Sequence, residues 1–155
     1  MITFEKNGYI FSYRVAGVII HEGKVLVHRN IIDDFWSLPG GRCEFLEISK
    51  DALIREMKEE IGVEVEIIRP LYFVENFFYF EGKNYHEISI FYLMECNSDS
   101  KIIFENDTFH GREFKLIFKW VDISTIGTIK LYPLFLRKAL KNIKSFPEHI
   151  INWDD

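Results

Sequence analysis

The stretch that decides the reading runs Gly41-Arg42-Cys43-Glu44-Phe45-Leu46-Glu47-Ile48-Ser49-Lys50-Asp51-Ala52-Leu53-Ile54-Arg55-Glu56-Met57-Lys58-Glu59-Glu60-Ile61-Gly62-Val63. Its second half has the marks of a helix from about Ser49 to Ile61. Ser49 is a candidate N-cap, and Asp51 puts a negative charge in the first turn, where it suits the helix dipole. Ala52, Leu53, Met57 and Ile61 recur at helical spacing, and Gly62 can end the helix in a left-handed conformation. The polar side is less ordinary. Glu56, Glu59 and Glu60 stand at i, i+3 and i+4, so their carboxylates share one side. They crowd the C-terminal end, where each acid costs about 0.3–1 kcal/mol, and only Arg55 and Lys58 compensate locally. A solvated acidic face is one reading. The other is a site for a hard divalent cation, since Mg²⁺ takes oxygen ligands from a few carboxylates, waters and substrate phosphates.

The wider spacing favours the cation. Gly41, five residues, Glu47, seven residues and then Arg55 to Val63 resembles the Nudix box at every fixed position, with the required apolar sites filled by Met57 and Val63. A chance match in a chain of this composition is on the order of one in a million. The flanks agree: Trp36-Ser37-Leu38-Pro39-Gly40-Gly41 looks like the loop leading into the box, and Trp120-Val121-Asp122 like a late strand and turn of that family. The resemblance implies an α+β fold, an α/β/α sandwich with a mixed β-sheet between helices. It also implies a Nudix hydrolase that cleaves a diphosphate linkage using Mg²⁺ or Mn²⁺. Carried over residue by residue, Glu56, Glu59 and Glu60 match the metal-binding acids and the Gly40 carbonyl matches a backbone ligand. Glu56 is also a candidate base for the attacking water. Arg55 is expected to orient the glutamates, Glu47 to support the site by binding Arg55 or through water, and Gly41 and Gly62 to serve the backbone.

Beyond the box the residues offer weaker candidates. Glu113, seven residues before Trp120, is the first choice for a further carboxylate, Glu105 the second, and His86-Glu87 could face the cleft. Phe35 and Trp36 are available to stack on a base, although packing is the commoner use of such a Trp. Among Arg14, Arg29 and Arg42, Arg29 is the favoured phosphate contact because it ends a strand near the box loop. His28, His110 and His149 lack metal-ligand spacing. Strand patterning covers Tyr9–Ile20, Val25–His28, Val63–Ile68, Leu71–Phe80, Glu87–Glu95 and Lys115–Val121. A turn falls at His21–Lys24, a loop at Ile31–Gly41 and a second helix at Tyr132–Lys144. The aromatic run from Tyr72 to Phe80 reads as sheet core, with enough surplus for a homodimer face or an aromatic substrate pocket.

Composition narrows the function classes. The 155 residues, 15 of them phenylalanine and 7 tyrosine, are expected to form a single domain spanning 1–155. Neither a membrane span nor a basic-then-apolar export signal is legible, so the expected location is the cytoplasm. Cys43 and Cys96 are then expected to be reduced thiols. A net charge of −5 speaks against gripping a nucleic acid polymer, which takes clustered Lys and Arg. It also means that an anionic substrate must be met by a bound cation. The expected substrate is a small nucleotide-like diphosphate. A nucleoside triphosphate pyrophosphohydrolase is preferred, with a nucleotide-sugar or ADP-ribose pyrophosphatase as the alternative. A non-catalytic ligand sensor of the same fold would be the alternative of another class. Retention of all three box glutamates speaks against it.

Overall fold

The computed structural model describes residues 1–97 and 101–154. Two sheets form the framework. The larger is mixed, in the order β1 (Thr3–Lys6), β2 (Tyr9–Val18), β7 (Lys83–Cys96), β6 (Val65–Phe80), β10 (Glu148–Trp153), with β5 (Gly40–Arg42) on the edge of β2. The smaller runs β3 (Ile20–His21), β4 (Lys24–Asn30), β9 (Leu116–Asp122), β8 (Thr108–His110). Alternation along these strands sends side chains to two separate cores. Val15, Leu26, Phe118 and Trp120 pack with Ala52, Leu53, Met57 and Ile61 of helix α1 (Ser49–Ile61). Ala16, Val25, Val27 and Val121 pack instead with Ile126 of a 3₁₀ segment (Ile123–Thr128) and Leu136 of α3 (Leu136–Ala139). Sheet between helical layers is the α/β/α sandwich expected. A further short helix, α2, spans Lys101–Phe104.

Helix α1 occupies the range its periodicity predicts, and Gly62 ends it at φ 70°, with its N–H donating to the Lys58 carbonyl. The N-terminal expectation is corrected. Ile48 is the capping position and no side chain caps it; Ser49 is already helical, and its hydroxyl pairs with the Tyr92 hydroxyl at 2.7 Å. A tertiary partner on β7 has drawn the serine away from the local one.

The strands expected at 63–68 and 71–80 are one continuous β6. The break read at Arg69-Pro70 is a pair of register shifts against β7, between Ile67 and Arg69 and between Pro70 and Tyr72. A bulge tolerates the missing proline N–H without ending the strand. The helix expected over Tyr132–Lys144 shrinks to Leu136–Ala139. Around it the N–H groups of Leu136, Arg137 and Lys138 donate to carbonyls three residues back. Ahead of it, Leu134 N–H donates to Asp154 Oδ1 and Phe135 N–H to Asn152 Oδ1. Those acceptors lie in and just after the last strand, β10, which periodicity does not mark and which pairs parallel with β6.

Candidate active site

The box acids sit where α1 meets the edge strand β5. β5 pairs antiparallel with β2, placing Gly41 opposite Val15 and Arg42 opposite Arg14. The Glu56 carboxyl lies directly over Gly41, close enough that any Cβ there would collide with it. Glycine leaves the Glu56 carboxyl its place; any side chain here would displace it.

One cation organises the group. Arg55 donates from Nε and Nη2 to both oxygens of Glu47, at 2.8 and 3.0 Å, from Nη1 to Glu56 at 2.8 Å and to Glu59 at 3.3 Å, and from Nη2 to the Arg42 carbonyl at 3.2 Å. Such forked, charge-assisted bonds fix geometry as well as charge. The Arg55 guanidinium in turn holds Glu47 below the usual carboxylate range. Glu47 also accepts from the Glu44 N–H, so the loop is tied to the helix through these two residues.

The three glutamates differ in their surroundings. Glu59 is 60% exposed, whereas the Glu56 and Glu60 side chains are 16% and 14% exposed. Burial pushes the Glu56 carboxyl up, with Arg55 opposing. It pushes Glu60 up to about 8, with the neighbouring Glu56, Glu59 and Glu113 adding to the effect and Arg14 opposing it. Glu60 Oε2 is buried without a hydrogen-bond partner, and so is His28 Nδ1, 3.8 Å away. Burial holds His28 neutral, with its pKa lowered to about 3. A buried, partnerless carboxylate oxygen among mutually repelling acids is the chemistry that a divalent cation relieves. The donor set therefore fits Mg²⁺ or Mn²⁺, with Glu56, Glu59, Glu60 and the adjacent Gly40 carbonyl as the residues that would hold it. Among the described residues no three His, Cys, Asp or Glu side chains already close a cage.

A cavity of about 380 Å³ opens on the other side of the β2–β5 edge. Arg14 and Arg42 lie in it as cross-strand neighbours, and Phe35, Phe80 and Tyr132 form an edge-to-face aromatic wall, with Phe35 5.7 Å from Phe80 and 5.8 Å from Tyr132. Glu87 lies buried at the back, accepting from the hydroxyls of Ser12 and Ser89 at 2.8 and 3.0 Å. Arg14 belongs to both regions: it lines the cavity, donates to the Leu38 carbonyl at 2.9 Å, and its charge acts on Glu56 and Glu60.

Several expectations outside the box change. Arg29 is used up locally: Nη1 donates to the carbonyls of Asn30, Ile31 and Asp33, and the guanidinium lies 5.1 Å above Trp36. The other two phosphate-contact candidates, Arg14 and Arg42, line the cavity instead. Trp36 does not line the cavity but packs beside the second core, so of the two loop aromatics only Phe35 faces the space. His86 and Glu87 are separated onto opposite faces of β7, and only Glu87 enters this cavity. Glu113 is exposed and paired with Lys115 at 3.2 Å, on a loop docked to the end of α1 by the Arg112 N–H bond to the Glu60 carbonyl. Glu105 is exposed beyond α2. His28, given no role from spacing, sits against Glu60. No local pattern marks this meeting, because β4 and α1 come together only in the folded chain. Cys43 and Cys96 are free thiols, each pushed up to about 11 by burial.

The family model of the NUDIX domain matches residues 12–143, and the chain belongs to that family. A putative ADP-ribose pyrophosphatase of Bacillus subtilis is 39% identical over 57 residues, which are 37% of this chain and 27% of that protein. The chain thus spans well under two thirds of that relative. A nucleoside triphosphatase of Enterobacter is 26% identical over 113 residues, 70% of this chain and 76% of that one. The crystal structure of a NUDIX hydrolase from Nitrosomonas europaea superposes with a TM-score of 0.65 at 18% identity, covering 92% of this chain and 79% of that one. This likeness speaks to the fold alone. No helix among the described residues is long and apolar enough to cross a membrane.

Proposed function

We propose that this protein is a metal-dependent nucleoside triphosphate pyrophosphohydrolase, releasing a nucleoside monophosphate and pyrophosphate. The observation that carries the reading is the position of Arg14, which faces the aromatic cavity and also lies within electrostatic reach of Glu56 and Glu60. A nucleotide laid across that edge puts its ring against Phe35 and Tyr132 and its phosphates by Arg14 and Arg42. The scissile anhydride then falls toward the box carboxylates. When bound, Mg²⁺ or Mn²⁺ neutralises charge on the phosphoryl oxygens and polarises the attacking water. The chain itself supplies orientation. Arg55 holds Glu47, Glu56 and Glu59 in place, and Glu56 accepts a proton from the attacking water. The relatives named as acting on nucleoside triphosphates and ADP-ribose support an anhydride substrate, and the cytoplasm is where such a nucleotide pool is met.

The deciding experiment offers dNTPs, nucleotide sugars, ADP-ribose and nucleoside monophosphates to the enzyme in ¹⁸O water, with Mg²⁺, Mn²⁺ or excess EDTA. Label should enter a phosphate of an anhydride product, triphosphates should turn over fastest, and chelation should abolish the reaction. Full rate in EDTA, or phosphate release from monoesters with anhydrides inert, would show that the reaction has been misread. Phe35→Ala should raise KM for base-bearing triphosphates roughly 3- to 10-fold, the worth of one aromatic contact, and reorder the substrates. The metal activation curve should stay where it is. A shifted metal curve with an unchanged substrate ranking would remove Phe35 from the substrate pocket.

A further inference from the structure

The larger sheet carries a feature the active site does not use. Register places Phe4 beside Phe11, Phe11 beside His86, His86 beside Phe77 and Phe77 beside Trp153, one ring from each of five adjacent strands. The rings touch in sequence, with centroids 5.3, 5.7, 4.7 and 4.2 Å apart. Farther along the strands, at Tyr13 and Ile90, the same face is covered by the core under α1. At the row itself it is open. Phe4, Tyr9, Phe73, Ile151 and Trp153 are between 44% and 68% exposed, as is Tyr79, which also borders the cavity. At about 150–250 Å² for a large side chain, they leave roughly 700 Å² of apolar surface uncovered. The largest patch on an ordinary monomer is about 300–600 Å², whereas each partner of a stable complex buries about 800 Å².

We infer that this face is the interface of a homodimer, two copies stacking their aromatic rows face to face about a two-fold axis. The area matches one partner's share, and a two-fold contact pairs a surface with itself. Charge selects against the other natural occupant of such a row, the bases of a single-stranded nucleic acid. By register, Lys6 beside Tyr9 is a cation on this face, Lys83 at the same end of the sheet is taken up by Glu5 at 2.6 Å, and Glu75 is already paired with His149 at 2.8 Å. A strand of phosphates finds no clustered cations here, while two nearly neutral faces do not repel.

Sedimentation equilibrium of the full chain from 2 to 200 µM tests this. A dimer is expected, persisting in high salt because the contact is apolar. Tyr9→Lys and Ile151→Lys, at opposite margins of the face, should each weaken it at least tenfold, since each forces an unpaired charge into an apolar contact. Phe146→Lys, an exposed apolar residue between α3 and β10, should leave it intact, and melting curves will establish that each variant folds. A wild-type protein still monomeric at 200 µM overturns the inference. So does an unchanged dimer in both folded face variants, or dissociation caused by Phe146→Lys. Saturable binding of single-stranded RNA by a monomer, lost in Trp153→Ala, would give the face to nucleic acid instead.

Discussion

Glu60→Gln should lower turnover by two to four orders of magnitude while making the metal-free protein more stable at pH 8. The loss of activity follows from removing one of the charges that would hold the cation, with little change in shape. The gain in stability follows from burial. Glu60 titrates near 8 in the fold, against about 4.5 for an ordinary glutamate, so the folded state resists ionising it. Its contribution is fully present below about pH 4.5 and is lost as pH climbs to about 8. His28, with its pKa lowered to about 3 against 6.5, works in the opposite direction: its contribution is full above pH 6.5 and is lost as pH falls. The two slopes oppose each other between about 4.5 and 6.5. From 6.5 to 8 Glu60 is left to act alone. Metal-free wild type should therefore lose stability over pH 6.5–8, and Glu60→Gln should be nearly flat there. At about 1.4 kcal/mol per unit the shift sets an upper bound, and roughly 2 kcal/mol at pH 8 is expected. The new amide nitrogen can also donate to His28 Nδ1, ending the isolation of that atom. Melting temperatures in EDTA from pH 5 to 8.5, with turnover in Mg²⁺, decide the matter. Near-normal turnover, or a variant less stable than wild type at pH 8, would show that Glu60 is not the buried metal carboxylate.

The second large effect belongs to Arg55. Arg55→Ala leaves Glu47 and Glu56, both largely buried, without the partner that neutralises them. The expected cost is about 2–3 kcal/mol, below the 3–5 of a fully buried pair because Arg55 keeps some solvent contact. Activity should fall at least a hundredfold, since the carboxylates lose their common anchor. Arg55→Lys separates charge from geometry. A lysine restores a positive charge but cannot span Glu47, Glu56 and the Arg42 carbonyl at once. It should recover about half of the stability and little of the rate. Denaturant melts and kcat with saturating metal measure both. If Arg55→Lys regains full rate, the forked geometry is irrelevant and Arg55 acts as a charge alone.

The box helix, its register and its acidic side are legible in the chain alone, because those rest on contacts within four residues. Met57 and Ile61 must face a core if Glu56, Glu59 and Glu60 face away, and Gly62 can stop only what precedes it. Strand patterning likewise located β2, β4, β6, β7 and β9 to within a few residues. Tertiary structure decided everything that depends on a partner far along the chain. Ser49 reads locally as a cap and turns instead to Tyr92, and Arg29 reads as a free cation yet is held by its own loop. The helix read at Tyr132–Lys144 gives way to turns capped by Asn152, in a strand that exists only because β6 offers it an edge, and by Asp154 just beyond it. The same applies to the cavity. Arg14 and Arg42 lie 28 positions apart in sequence and become neighbours only through β2–β5 pairing, and His28 meets Glu60 only where the two sheets and the helix converge. Periodicity reports which way a side chain points; it carries no record of what stands opposite.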